Sequence, residues 1–265
     1  MLATLDDLLE STEDSTEKCA DKSADKFLEE NRKQRFFLQE LALFHPSLKL
    51  SSPPQGGIDS VVDTLLSQLK SDHPEAGPVY WSNRCWALLY WQPIYLAVYS
   101  VHRYQHWVSF SDFQLGFDGK QISGFYFSNT HWLSEDSAIQ GNNSLIEQQA
   151  LELKVLLERF FHQLTATIKI NAINAWRLIA DCILMALLDI EQIKDDQKVD
   201  ISYQWLKALG LFDRKGNPHS QLKPIYNPKS IYPKECCSLG LDRKSCCMHY
   251  LIDSNNPCDT CNKYP

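Results

Sequence analysis

The chain has 265 residues, enough for one large or two modest domains with a sizeable core. It is 44% hydrophobic and 22% charged, an ordinary globular composition, and its 10 glycines argue against a fold built on Gly-rich phosphate loops. The net charge of −7 is uneven: residues 1–31 hold ten acids against three lysines, while 205–265 hold nine Lys or Arg against five Asp or Glu.

The start, MLATLDDLLESTEDSTEK, is acidic and lacks the basic and apolar regions of a signal peptide. This predicts a cytoplasmic protein with reduced thiols, whose cysteines serve as metal ligands or core groups rather than as a disulfide framework. Residues 24–44 read as a helix on Phe27, Phe37, Leu38, Leu41 and Leu43, and 51–57, SSPPQGG, as a break. Ile58, Val61, Val62, Leu65 and Leu69 share one helical face over 58–70. After a second break at 72–78, a helix is expected from 81 to about 101, with a kink or stop near Pro93.

Residues 107–128 carry the clearest β signal, two strand-favouring runs around Asp118-Gly119, a good hairpin turn. Helical spacing returns over 143–168 and 171–193, and a short helix near 202–209 ends at Gly210. Two apolar stretches, 85–101 and 172–190, invite a membrane reading. The first is short and holds Pro93, and the second carries Arg177 and Asp181, so both read as buried core helices. No transmembrane segment is expected, although loose membrane association stays open. From 211 onward the chain is rich in Pro, Lys, Asn and Cys with little periodicity, so a metal cluster is an attractive source of order there.

The sum is an α+β fold, mainly helical, with one β-hairpin or small antiparallel sheet in the middle and an irregular Cys-rich C-terminal subdomain. The organisation expected is an acidic helical region over 1–75, a body over 76–220 and the Cys-rich part over 221–265.

Six of the nine cysteines fall in the last 30 residues: Cys236, Cys237, Cys246, Cys247, Cys258 and Cys261. Cys19, Cys85 and Cys182 stand apart, and Cys182, in an apolar helix, reads as an inert buried thiol. The sharpest pattern is Cys246-Cys247, ten residues, then Cys258-x-x-Cys261. Thiolates are soft ligands for Zn²⁺ or iron–sulfur clusters. Adjacent cysteines tend to point apart, which suits a two-iron rhomb better than one tetrahedral zinc, but spacing alone leaves zinc and unliganded thiols open.

The segment Asp242-Arg243-Lys244-Ser245-Cys246-Cys247-Met248-His249-Tyr250, followed by Cys258-Asp259-Thr260-Cys261, resembles the C-terminal signature of the FhuF-like ferric-siderophore reductases. That family has a basic residue shortly before C-C, an aromatic three residues on, and C-x-x-C after a ten-residue spacer. The motif covers about 20 of the 265 residues. The resemblance implies a [2Fe–2S] cluster held by Cys246, Cys247, Cys258 and Cys261. Two departures stand out: Asn262 follows the last cysteine where family members often have Pro, and the Cys236-Cys237 pair is additional.

The resemblance further implies one-electron reduction of a ferric siderophore in the cytoplasm, with electrons from a ferredoxin or an NAD(P)H-dependent reductase. The chain has no G-x-G-x-x-G fingerprint for using a nicotinamide directly. Arg243 and Lys244, beside the cysteines, and Arg103 and Trp107, in the aromatic-rich region with Trp81, Trp86, Trp91, Tyr95 and Tyr99, are candidate substrate contacts. Arg103 and Arg177 lie in apolar sequence surroundings, where a charge is expected to be paired. The alternatives are a zinc-binding interaction module and an iron–sulfur redox sensor or electron-transfer protein with another acceptor. No nucleic-acid partner is expected, because the charge is acidic overall and lacks a clustered basic stripe.

Overall fold

The computed structural model describes residues 32, 34, 36–43, 45–52, 58–117, 122–128, 133–134, 142–226 and 237–253. The chain divides into two compact units, Met1–Pro46 and Ser47–Pro265. In the first, residues 36–43 are helical, with Phe37 and Leu41 buried one turn apart. The acidic leader lies outside the described residues.

The second unit is mainly helical. Five helices are described: α1 (Ile58–Asp72), α2 (Gly77–Tyr104), α3 (Asn142–Thr167), α4 (Ala172–Leu188) and α5 (Asp195–Ala208). The strands are β1 (Trp107–Val108), β2 (Phe113–Phe117), β3 (Ile122–Phe127), β4 (Leu133–Ser134), β5 (Gln221–Tyr226) and β6 (Cys237–Asp242), paired as β1–β4, β2–β3 and β5–β6, all antiparallel. The fold is therefore α+β with helix dominant, as the sequence reading expects.

Helix α2 forms the centre, packed against α1, α3 and α4. Its sequence is apolar almost all round, and Trp86, Leu89, Ile94, Leu96, Ala97, Val98 and Val101 have no exposed surface. The helix does not stop at Pro93: it runs unbroken to Tyr104, with Pro93 itself buried. An interior proline costs a hydrogen bond and a steric clash, roughly 3 kcal/mol. Burial of the neighbouring residues on several faces offsets that local cost. Helix α1, which sequence grouping set with the acidic N-terminal region, packs on α2 and α3 within the second unit. Its Val61, Val62, Leu65 and Leu69 are all buried.

The expected hairpin is β2–β3, with Phe113 opposite Phe127 and Leu115 opposite Phe125. Its Asp118-Gly119 turn lies outside the described residues. Residues 49–51 run along β3: Phe125 N donates to Lys49 O (3.0 Å) and Ser51 N to Phe125 O (2.8 Å). Gly124, just before Phe125, has φ +83°, and a Cβ there would stand 2.3 Å from Lys49 O.

Helix α3 fastens the β elements through polar side chains. The buried Gln149 amide accepts from Val108 N (2.6 Å) and donates to Val108 O (3.2 Å), so a side chain completes the β1 backbone pairing. Glu152 accepts from Phe110 N (3.1 Å), and Arg159 donates to Phe113 O (3.1 Å).

The expectation of little regular structure after residue 211 is corrected by β5 and β6, paired over six positions from Gln221↔Asp242 to Tyr226↔Cys237. Leu222 and Leu241 face each other and are both buried. The alternation was obscured by Pro224 within β5 and by the long connection between the strands. Ahead of this hairpin, α5 begins earlier than sequence spacing suggests, at Asp195, and Gly210 follows it at φ +71° as a left-handed terminator.

Among the described residues, no helix is long and apolar enough to cross a membrane. Both suspect stretches lie in core helices, α2 and α4.

Candidate functional site

Strand β6 ends at Asp242, and Arg243–Met248 then follow without regular secondary structure before a single 3₁₀ turn, His249–Leu251. Met248 enters that turn in the left-handed region, at φ 62°. Cys246 and Cys247 sit on this stretch, partly buried, and neither is in a disulfide.

Helix α4 is strongly apolar, yet Asn174, Arg177 and Asp181 recur at i, i+3 and i+7 and therefore share one face. That face carries the cysteine segment. The Asn174 side chain receives Cys246 N at its Oδ1 (3.3 Å) and donates its Nδ2 to Cys246 O (3.2 Å). Asn174 Nδ2 also donates to Asn83 Oδ1 on α2 (2.7 Å). Arg177 Nη1 reaches Lys244 O at 3.5 Å.

Asp181, 2% exposed, is the focus of the arrangement. Its Oδ1 accepts from Ser220 Oγ (2.6 Å). Its Oδ2 accepts from Arg243 Nε (2.9 Å) and from Ser245 Oγ. Ser220 Oγ also contacts Asp242 O (3.2 Å), so one carboxylate ties together the start of β5, the end of β6 and the residue before Cys246. A buried carboxylate is tolerated when a cation and several donors meet it, and here all three partners do.

The other cysteines divide clearly. Cys85 is wholly buried, and desolvation pushes its thiol up to about 12. Burial likewise raises the Cys182 thiol, with the neighbouring Asp181 adding to the rise. Both behave as inert core groups, as expected for Cys182. Cys258, Cys261, Cys236 and Cys19 lie outside the described residues, as does the Cys237 side chain.

The expected substrate contacts separate. Arg243 is turned inward to Asp181, so its guanidinium fastens the turn. Lys244 is exposed, with its ammonium donating to Pro218 O (2.9 Å). Arg103 lies near the far end of α2, its guanidinium 5.9 Å from the Tyr99 ring centre. It is 20 residues beyond Asn83, the α2 residue nearest the cysteine turn by hydrogen bonding, or about 30 Å of helix. Trp107 follows in β1, with its indole N–H buried and without a hydrogen-bond partner among the described residues. Arg103 therefore stands apart from the Cys246–Cys247 turn, and Trp107 lies beyond Arg103 in sequence. Of the aromatic group, Trp86 is core and donates to Ala175 O (3.0 Å), and Tyr99 is buried.

Sequence reading missed Asn174, Asp181, Ser220 and Ser245. The available signal was the polar i, i+3, i+7 stripe within an otherwise apolar helix.

The donor chemistry fits a thiophilic metal or an iron–sulfur cluster: two adjacent thiols on a backbone fixed from outside. Among the described residues, no three His, Cys, Asp or Glu side chains come together as a metal-holding group.

No protein-family model matches the sequence, and no solved structure matches the fold.

Proposed function

We propose that this chain is a cytoplasmic ferric-siderophore reductase of the FhuF-like kind, holding a [2Fe–2S] cluster through Cys246, Cys247, Cys258 and Cys261. The observation that carries the reading is the anchored Cys246-Cys247 turn: its backbone is clamped by Asn174 and its flank by Asp181, on a chain whose next cysteines follow as C-x-x-C. When bound, such a cluster supplies one electron at a time.

The residues of the chain have separate tasks in this reading. The four thiolates hold the group. Asn174 fixes the peptide of Cys246, and the Asp181–Arg243 pair fixes the strand end that leads into it. Lys244, exposed two residues before Cys246, presents a positive charge that would attract an anionic ferric complex. The reaction is transfer of one electron to Fe³⁺ in its siderophore, which leaves Fe²⁺. Hard oxygen donors hold Fe²⁺ far less tightly, so reduction releases it. The electron comes from a ferredoxin or an NAD(P)H-dependent reductase.

The test is anaerobic purification followed by visible absorption, iron and sulfide analysis, and electron paramagnetic resonance after dithionite. The expected result is a red-brown protein with about two irons and two sulfides per chain and a reduced S = 1/2 signal, re-oxidised by a ferric siderophore. A colourless zinc protein would replace this reading with a zinc-binding module. A cluster that ferric siderophores leave reduced would replace it with a sensor or an electron carrier for another acceptor.

A further inference from the structure

We infer that α4 is a template for the cysteine turn, and that Asp181 and Asn174 are positioning residues that hold Cys246 and Cys247 in a binding-ready arrangement before any metal arrives. The inference rests on the reading that these two cysteines are ligands. It goes beyond that reading by assigning their affinity and electronic tuning to residues more than 60 positions away in sequence.

The geometry supports the inference at three points. A turn with two adjacent ligands has little regular structure of its own, and ordering it at the moment of binding would cost conformational entropy at every residue. Here Cys246 N and O are both engaged by one side-chain amide, at 3.3 Å and 3.2 Å. Ser245, immediately before, is 2% exposed and bonded to Asp181. Arg243, two residues earlier, is paired with the same carboxylate at 2.9 Å. The template is itself braced, through Asn83 on α2 and Ser220 at the base of the β5–β6 hairpin. Three elements thus fix the backbone of the turn.

Asp181 also contributes charge. It is a buried carboxylate close to the ligand backbone, and its negative charge balances the Arg243 guanidinium, which would otherwise stand uncompensated behind the turn. Removing the charge while keeping the shape raises the reduction potential; removing the side chain loosens the turn. Partners of this kind behind metal ligands typically contribute on the order of 10- to 100-fold in metal affinity.

The experiment uses the 265-residue chain, reconstituted with ferrous iron and sulfide under reducing, oxygen-free conditions. Asp181→Ala and Asn174→Ala are expected to lower iron affinity by about 10-fold or more. Asp181→Asn is expected to keep most of the iron, and its reduction potential shifts upward. Gly124→Ala, which strains the fold far from the turn, is expected to keep wild-type affinity per folded chain and wild-type potential. If the three α4 variants match wild type in iron affinity, paramagnetic resonance and potential, the inference is wrong.

Should the wild-type chain take up no iron, the cluster reading fails separately, and the template is then judged on metal-free protein. Alkylation of Cys246 and Cys247 by iodoacetamide, with amide exchange at 245–247, is expected to speed up about 10-fold or more in Asn174→Ala and Asp181→Ala. Unchanged rates overturn the inference in that case.

Discussion

Arg243 Nε lies 2.9 Å from Asp181 Oδ2 across 62 positions of sequence, and the two side chains are only 11% and 3% exposed. The pair joins the end of β6 to the middle of α4, and the two serines that share the carboxylate make it a closed polar island in an apolar interior.

Breaking that pair from one side leaves a buried charge without its counter-ion. Arg243→Met is expected to destabilise the chain by about 3–5 kcal/mol, read from urea unfolding. The double variant Asp181→Asn/Arg243→Met removes both charges and is expected to cost less than the sum of the two single changes, by about 1–3 kcal/mol. Strict additivity would show that the two groups do not act on each other.

Gly124 and Gly210 offer a matched comparison. Both have left-handed φ, +83° and +71°, but a Cβ on Gly124 would meet Lys49 O at 2.3 Å, whereas one on Gly210 has nothing within 4 Å. Gly210→Ala pays the backbone strain alone, about 1–2 kcal/mol. Gly124→Ala adds a clash with backbone that the Phe125 hydrogen bonds hold in place, so it is expected to cost about 2 kcal/mol more. Equal melting temperatures for the two variants would mean that residues 49–51 are not held against β3.

His102 gives the chain a pH dependence of calculable sign. Its Nε2 accepts from Trp205 Nε1 (2.8 Å), and desolvation lowers its pKa from 6.5 to about 4. Between those values the unfolded chain binds a proton that the folded chain refuses, so folding stability rises with pH through this window. The contribution is complete above pH 6.5 and is lost as pH falls toward 4, on the order of 3 kcal/mol in all. Urea unfolding at pH 5 and pH 7 measures it. His102→Gln keeps an acceptor for Trp205 and is expected to flatten the pH slope; an unchanged slope would show that His102 is not the group responsible.

Much of the helical architecture is legible in the sequence because the burial pattern follows the 3.6-residue period. Val61, Val62, Leu65 and Leu69 in α1, and the apolar face of α3, lie where that period puts them. The β2–β3 hairpin is legible for the same reason at period two. The β5–β6 hairpin is not, since Pro224 and a long connection hide its alternation, and pairing between distant strands leaves no local mark. The continuation of α2 through Pro93 is also hidden: proline propensity is a local quantity, and the burial that outweighs it comes from α1, α3 and α4.

The same division runs through the site. Sequence by itself determined which chemistry is on offer, because thiol identity and the C-C-x10-C-x-x-C spacing belong to the chain. Only the tertiary structure decided what holds the first pair, that Arg243 faces inward to Asp181, and that Arg103 lies at the end of α2 away from Asn83, with Trp107 beyond it in β1. A side chain's role depends on whichever groups surround it, and the α4 groups behind this turn come from 62 to 72 positions away, beyond any local pattern.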